Sequence, residues 1–163
     1  MDKQLMQRGQ QWLEELLGLY KLASQVKPTL TDDSGDDKPN YWLTIDQTRL
    51  TPKQVEILIG PDGIVLDAIQ YLANSILNLG QDEQGQAAYT IEIDGYRLRR
   101  QEELRAMAAH AAQTVRETGQ EYELKSLSSA ERRQVHTFLK ECEDLETQSQ
   151  GQEPDRRLVV RLR

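Results

Sequence analysis

Cysteine and histidine are almost missing from this chain, and each shortage excludes a class of chemistry. The single cysteine, Cys142, leaves no internal disulfide and no cysteine-rich metal site, so a reducing compartment is its natural home. The two histidines, His110 and His136, are too few for a histidine-based zinc or iron centre within one chain. Long apolar runs are missing too: no stretch is suited to spanning a membrane, and the N-terminus carries Gln and Glu where a signal peptide needs an apolar core. The carboxylates that do crowd together, Asp32, Asp33, Asp36 and Asp37, sit in a polar loop without apolar support. Metal-assisted hydrolysis or covalent catalysis needs clustered ligands or an activated nucleophile with its base, and neither pattern is present. The expectation is a chain that is no enzyme and has no catalytic residue, metal or cofactor.

What is present is the composition of a soluble protein, 37% hydrophobic and 29% charged, in 163 residues that suffice for one ordinary domain or two small ones. The net charge of -7 argues at first against nucleic acid. Its distribution is uneven, because residues 1–96 hold 7 basic and 15 acidic side chains while residues 97–163 hold 13 and 12. In the second part the arginines cluster at Arg97, Arg99 and Arg100, at Arg132 and Arg133, and at Arg156, Arg157, Arg161 and Arg163. Local patches rather than total charge set phosphate affinity.

Two short motifs stand out. The first is Gly60-Pro61-Asp62-Gly63 between two amphipathic segments. Thr51-Pro52 with Gln54 starts the preceding helix with a capping Thr, a Pro at the first helical position and a capping-box Gln. Val65, Leu66, Ile69, Leu72, Ala73, Ile76 and Leu77 mark the helix that follows. The second motif is Glu131-Arg132-Arg133-Gln134-Val135-His136. Ser128-Ser129-Ala130-Glu131 has capping-box spacing, so a helix begins at Ser128 and puts Arg132 and His136 one turn apart beside the stripe of Val135, Phe138 and Leu139. Arg133 and Lys140 lie farther round and, with His136, offer a basic ledge to a phosphate. Arg132 and His136 serve equally well as ordinary anchors of a helix to its neighbours.

Around these motifs the spacing predicts a helix to about residue 23, a polar loop over 27–38, a strand at 41–45 and a second short extended piece before Thr51. A strand at 89–93 closes the first part. Residues 96–100 lead into a helix that ends at Gly119, with a strand at 121–124, the capped helix, a polar turn over 147–154 and a final strand at 158–162. The fold class expected is α+β, two small α/β modules in tandem, divided as residues 1–96 and 97–163.

The first part, in the order helix, strand, strand, helix, Gly-x-x-Gly, helix, strand, resembles a type II KH domain. Ile57, Leu58 and Ile59 before the loop and Asp67-Ala68-Ile69-Gln70-Tyr71-Leu72 after it fit the bacterial members of that family. The second part resembles the R-three-H domain through Arg132-x-x-x-His136, Ser149-x-Gly151 and Glu153-Pro154-x-Arg156-Arg157. The two in this order resemble the bacterial Jag family, here as a short form without its N-terminal Jag domain. The resemblance implies a cytoplasmic regulatory protein that binds single-stranded RNA, or single-stranded DNA, and that pairs with a second small KH protein or with itself, without membrane insertion. It also implies that Gly60, Pro61, Asp62 and Gly63 face a KH groove and that Arg132 and His136 lie near a phosphate. Arg133, Arg156 and Arg157 join them on charge and position. Pro61 and Asp62 depart from the usual polar, partly basic loop, and a carboxylate beside a phosphate is repulsive. A protein-interaction adaptor with weakened RNA binding is therefore the alternative function.

Overall fold

The structure, a computed structural model, describes residues 2–31 and 38–163. The four clustered aspartates lie outside the described residues. The chain divides into two compact units, Met1–Arg97 and Leu98–Arg163.

In the first unit, helix α1 (Asp2–Leu19) precedes strands β1 (Val26–Thr31) and β2 (Asn40–Ile45), helices α2 (Pro52–Ile59) and α3 (Ile64–Asn78), and strand β3 (Ala88–Ile93). The sheet order is β1-β2-β3, with β1 antiparallel and β3 parallel to the central strand. Period-2 alternation turns Tyr41, Leu43 and Ile45 with Tyr89, Ile91 and Ile93 to one face, where Leu5, Leu13 and Leu17 of α1 and Leu66, Ala73 and Leu77 of α3 close the core. Each of the fully buried aliphatic side chains contributes about 1.5–3 kcal/mol through its removal from water.

Three expectations need correction here. Residues 26–31 form an edge strand rather than the start of the loop. Only edge strands accommodate a proline such as Pro28, and the polar Lys27, Thr29 and Thr31 alternate with Val26, Pro28 and Leu30. The extended piece before Thr51 is instead a 3-10 turn over Gln47–Arg49, capped by the Asp46 side chain accepting from Thr48 N. On α3 the apolar stripe is only partly inward: Leu66, Ala73 and Leu77 are buried, but Val65, Leu72 and Ile76 are exposed.

The inward side of α3 is completed by amides. Asn74 accepts from Tyr89 N at 2.9 Å and donates to Tyr89 O at 2.7 Å. Asn78 does the same with Ala87 N and O. Gln70 Oε1 accepts from Ile91 N. These three residues recur every four positions, so one helix face satisfies alternate backbone groups of an edge strand that would otherwise go unpaired.

The second unit holds most of helix α4 (Tyr96–Thr118), then β4 (Tyr122–Leu124), α5 (Ser129–Leu139), β5 (Leu145–Gln150) and β6 (Arg157–Leu162). The α4 helix starts at Tyr96, earlier than the sequence suggests. β6 lies between β4 and β5 and is antiparallel to both. The core joins Leu104, Ala108, Ala111, Ala112 and Val115 of α4 to Val135 and Leu139 of α5 and to Leu124, Leu145, Leu158 and Val160. Residues 147–150, expected in a turn, are strand: the polar Thr-Gln-Ser-Gln run pairs along β6, and the turn starts only at Gly151.

Candidate nucleic-acid interface

Helix α5 positions the site. Its N-terminus carries the capping box expected from the sequence: Ser128 Oγ accepts from Glu131 N at 3.2 Å, and the Glu131 carboxylate accepts from Ser128 N at 2.7 Å. Glu131 also accepts from Arg100 Nε at 2.7 Å. The next residue, Arg132, is not at the edge of the helix face but inside, at 4% exposure. Its guanidinium donates to Leu127 O at 2.6 Å, to Arg156 O at 3.3 Å, to Ser129 Oγ at 3.0 Å and to the Glu153 carboxylate. A buried guanidinium requires such a set of acceptors, since each unpaired N–H would cost a lost hydration bond.

One turn on, His136 is exposed, and its Nδ1 is hydrogen-bonded to Thr147 Oγ1 on β5. Between α5 and the strands lies a cleft of about 530 Å³ lined by Ser129, Arg132, Arg133, His136, Thr147, Ser149 and Arg156, with Gln148 and Leu158. Arg133 and Arg156 are exposed, and among the described contacts neither side chain has an ion pair. The combination of exposed cations, an imidazole and hydroxyls around a concavity suits an oxyanion such as a phosphate. Lys140 is exposed on α5 but does not line the cleft.

Arg157 does not join this group. It lies on β6 beside Glu123 of the neighbouring strand, with its Nε 3.0 Å from that carboxylate. Arg161 pairs with Glu146 and Glu121, and the hydrogen bond that it donates to Glu146 leads the effects that hold its guanidinium more basic than usual. Arg116 and Asp144 form a two-pronged pair at 2.6 and 2.8 Å, and Arg116 holds the Asp144 carboxyl below the usual carboxylate range. Much of the arginine count in this unit is therefore neutralised internally, whereas Arg133 and Arg156 at the cleft have no ion pair among the described contacts.

The glycine motif lies in the other unit. Gly60 and Gly63 have φ of 71° and 79°, where an added side chain would be strained. A Cβ on Gly60 would also come within 2.5 Å of Val65 Cγ2, and one on Gly63 would run into the Tyr96 ring. Pro61 and Asp62 are exposed at the tip, Asp62 with φ 51°. Lys53 on α2 is paired with Glu56 at 2.9 Å. Ile57 and Ile64, which flank the loop, are exposed, as are Tyr71, Leu72, Ile76 and Leu79 farther along α3 and at its end.

The cleft thus gathers Arg132, Arg133, His136 and Arg156. Thr147 and Glu153 belong to the same constellation: Glu153 stood in the sequence as part of a motif without a role at the site, and Thr147 had no sequence signal, since only the register of β5 brings it to α5. Among the described residues no group of three or more His, Cys, Asp or Glu side chains is placed to hold a metal ion, and no helix is long and apolar enough to cross a membrane.

Residues 102–162 match the model of the R-three-H domain. Relatives include the RNA-binding protein KhpB of Clostridium symbiosum, 32% identical over 107 residues, which are 66% of this chain and 47% of that protein. The RNA-binding protein KhpB of Lactiplantibacillus plantarum is 31% identical over 88% of this chain and 43% of its own length. That of Streptococcus pneumoniae serotype 2 is 32% identical over 83% of this chain and 38% of its own length. The chain spans about half or less of the length of these relatives. With the R-three-H match falling on the unit that carries the cleft, the chain belongs to the KhpB (Jag) family over the part that it shares with them.

Proposed function

We propose that this protein binds single-stranded nucleic acid, RNA foremost, and acts as a cytoplasmic regulator by binding alone, without a reaction of its own. The observation that carries this reading is the cleft on α5, where Arg133, Arg156 and His136 converge on a hydroxyl-lined concavity while the neighbouring arginines are paired with carboxylates. The names of the relatives point the same way. Phosphate contacts of this kind supply affinity with little sequence preference. In this reading residues 1–96 are a KH module whose loop at Gly60, Pro61, Asp62 and Gly63 adds a weaker contact, limited by the Asp62 charge.

The test is fluorescence anisotropy of the purified protein with a labelled random-sequence single-stranded RNA, titrated from low to physiological salt. Micromolar or tighter binding that weakens linearly in the logarithm of salt is the expected result. No binding at low salt would overturn the reading, and tighter binding to single-stranded DNA would replace RNA as the ligand.

A second reading concerns a protein partner and rests on α2 and α3. Ile57, Ile64, Tyr71, Leu72, Ile76 and Leu79 leave more apolar surface outward than scattered surface residues account for. This face fits a second small KH protein or another copy of the chain. Light scattering of the wild type beside Leu72→Asp tests self-association, and equal masses for the two would rule it out.

A further inference from the structure

The Arg132 side chain stands at the cleft yet is turned to the protein. Its contacts include two backbone carbonyls from different segments, Leu127 O before α5 and Arg156 O at the end of the turn after β5, together with Ser129 Oγ and the Glu153 carboxylate. These acceptors use both N–H groups on each terminal nitrogen, so four of the five donors of a guanidinium are committed. A phosphate could replace the exposed Glu153 carboxylate, but it could not replace the two carbonyls without opening the segment. Those carbonyls fix the plane of the guanidinium. The residue they fix in return is Arg156, whose backbone oxygen is bonded to Arg132 and whose side chain lines the cleft.

We propose that Arg132 is a positioning residue: it clasps the 151–156 turn to the N-terminus of α5 and thereby sets Arg156 in the cleft, while Arg133, Arg156 and His136 meet the phosphate. This rests on the reading that the cleft binds nucleic acid, and it divides the cleft's side chains into those that touch the ligand and one that does not. The charge of Arg132 is balanced by Glu153 in the unliganded protein, so it adds no counterion release when a phosphate arrives.

The experiment uses the full chain and the labelled single-stranded RNA above, with Arg132→Lys, Arg133→Ala, Arg156→Ala and the double variant Arg132→Lys/Arg156→Ala. Arg133→Ala and Arg156→Ala each lower the slope of log affinity against log salt by about 0.7, the share of one phosphate contact on a single strand. Arg132→Lys weakens binding by no more than Arg156→Ala does, with the slope lowered no further than in that variant, and adds less than about twofold and no further slope change once Arg156 is alanine, because its effect runs through that residue. Additive losses, with the slope of the double variant lower than that of Arg156→Ala, would assign Arg132 a phosphate contact and overturn the proposal. Amide hydrogen exchange without RNA reads the clasp independently: Arg132→Lys speeds exchange in residues 151–156 by about tenfold and Arg133→Ala does not. Unchanged exchange would overturn the clasp whether or not RNA binds, whereas a wild type that fails to bind RNA would remove the functional reading and leave the exchange result to decide. If Arg132→Lys does not fold, Glu153→Gln probes the clasp from its exposed end. Faster exchange and weaker binding support it, and tighter binding with a steeper slope would make Glu153 a competitor of the phosphate instead.

Discussion

The two units put their side chains to opposite uses. In the first, amides that a solvent-facing helix would ordinarily display are turned inward onto β3, and large apolar side chains of α2 and α3 face out. In the second, Leu98 and Leu162 alone among the described residues are large exposed hydrophobics, and uncompensated cations border a cleft. An outward apolar helix suits association with a surface of the same kind, and a cationic cleft suits an anion. The difference teaches that the net charge of -7 says little about either unit, since the acidic excess and the available cations belong to different cores.

The comparison breaks most readily on the cleft. Arg133→Ala/Arg156→Ala is expected to weaken single-stranded RNA binding about 30- to 100-fold at physiological salt by anisotropy, with the melting temperature unchanged. Comparable loss from Leu72→Asp would erase the division between the units. Next comes the inward polar face of the first unit: Asn74→Ala leaves Tyr89 N and O without partners and should cost about 2 kcal/mol in urea unfolding, with RNA affinity at the cleft kept. A neutral result would reduce the amide ladder to decoration. A smaller effect is expected at the glycine loop, where Asp62→Lys removes a repulsive charge and should tighten binding about two- to threefold at low salt if the loop meets the backbone. No change would confine nucleic acid to the second unit.

The smallest effect concerns pH. Asp144 has its folded pKa lowered by Arg116, so the pair's stabilisation is complete above the unfolded value of about 3.9 and is lost as the pH falls through the lower folded value. Asp144→Asn should therefore lower the melting temperature slightly at neutral pH, where the pair is complete, and converge on the wild type as the pH falls below about 4, which flattens the acid limb. A loss of the same size at every pH would assign the residue a packing role.

Local chemistry was legible where neighbours in sequence suffice. The capping boxes at Thr51 and Ser128, the positive-φ glycines of the loop and the buried period of β2 and β3 all depend on residues a few positions apart. The edge strands β1 and β5 were not legible, because each is polar on one side and is made a strand by its partner's hydrogen bonds. The periodicity of α3 showed an apolar helix without showing which part faces inward, since apolar residues cover more than one face. The spacing of Arg132 and His136 on α5 was right, but the burial of Arg132 depends on carbonyls at Leu127 and Arg156 that only the folded turn supplies. Arg157 looked equivalent to Arg156 until the β4–β6 register set it beside Glu123.

The amide ladder also limits how a further strand from another chain can add to the first unit. Exposed strand edges invite further strands, and continued addition leads to open-ended stacking rather than a closed pair. With Ala87, Tyr89 and Ile91 already bonded to Asn78, Asn74 and Gln70, and with Pro28 lacking an N–H on the opposite edge, the first sheet presents no continuous row of donors on either side. Contact through this unit falls to its helices, whose side-chain surface can be matched once and then is used up, so the fold favours a finite assembly over a growing one.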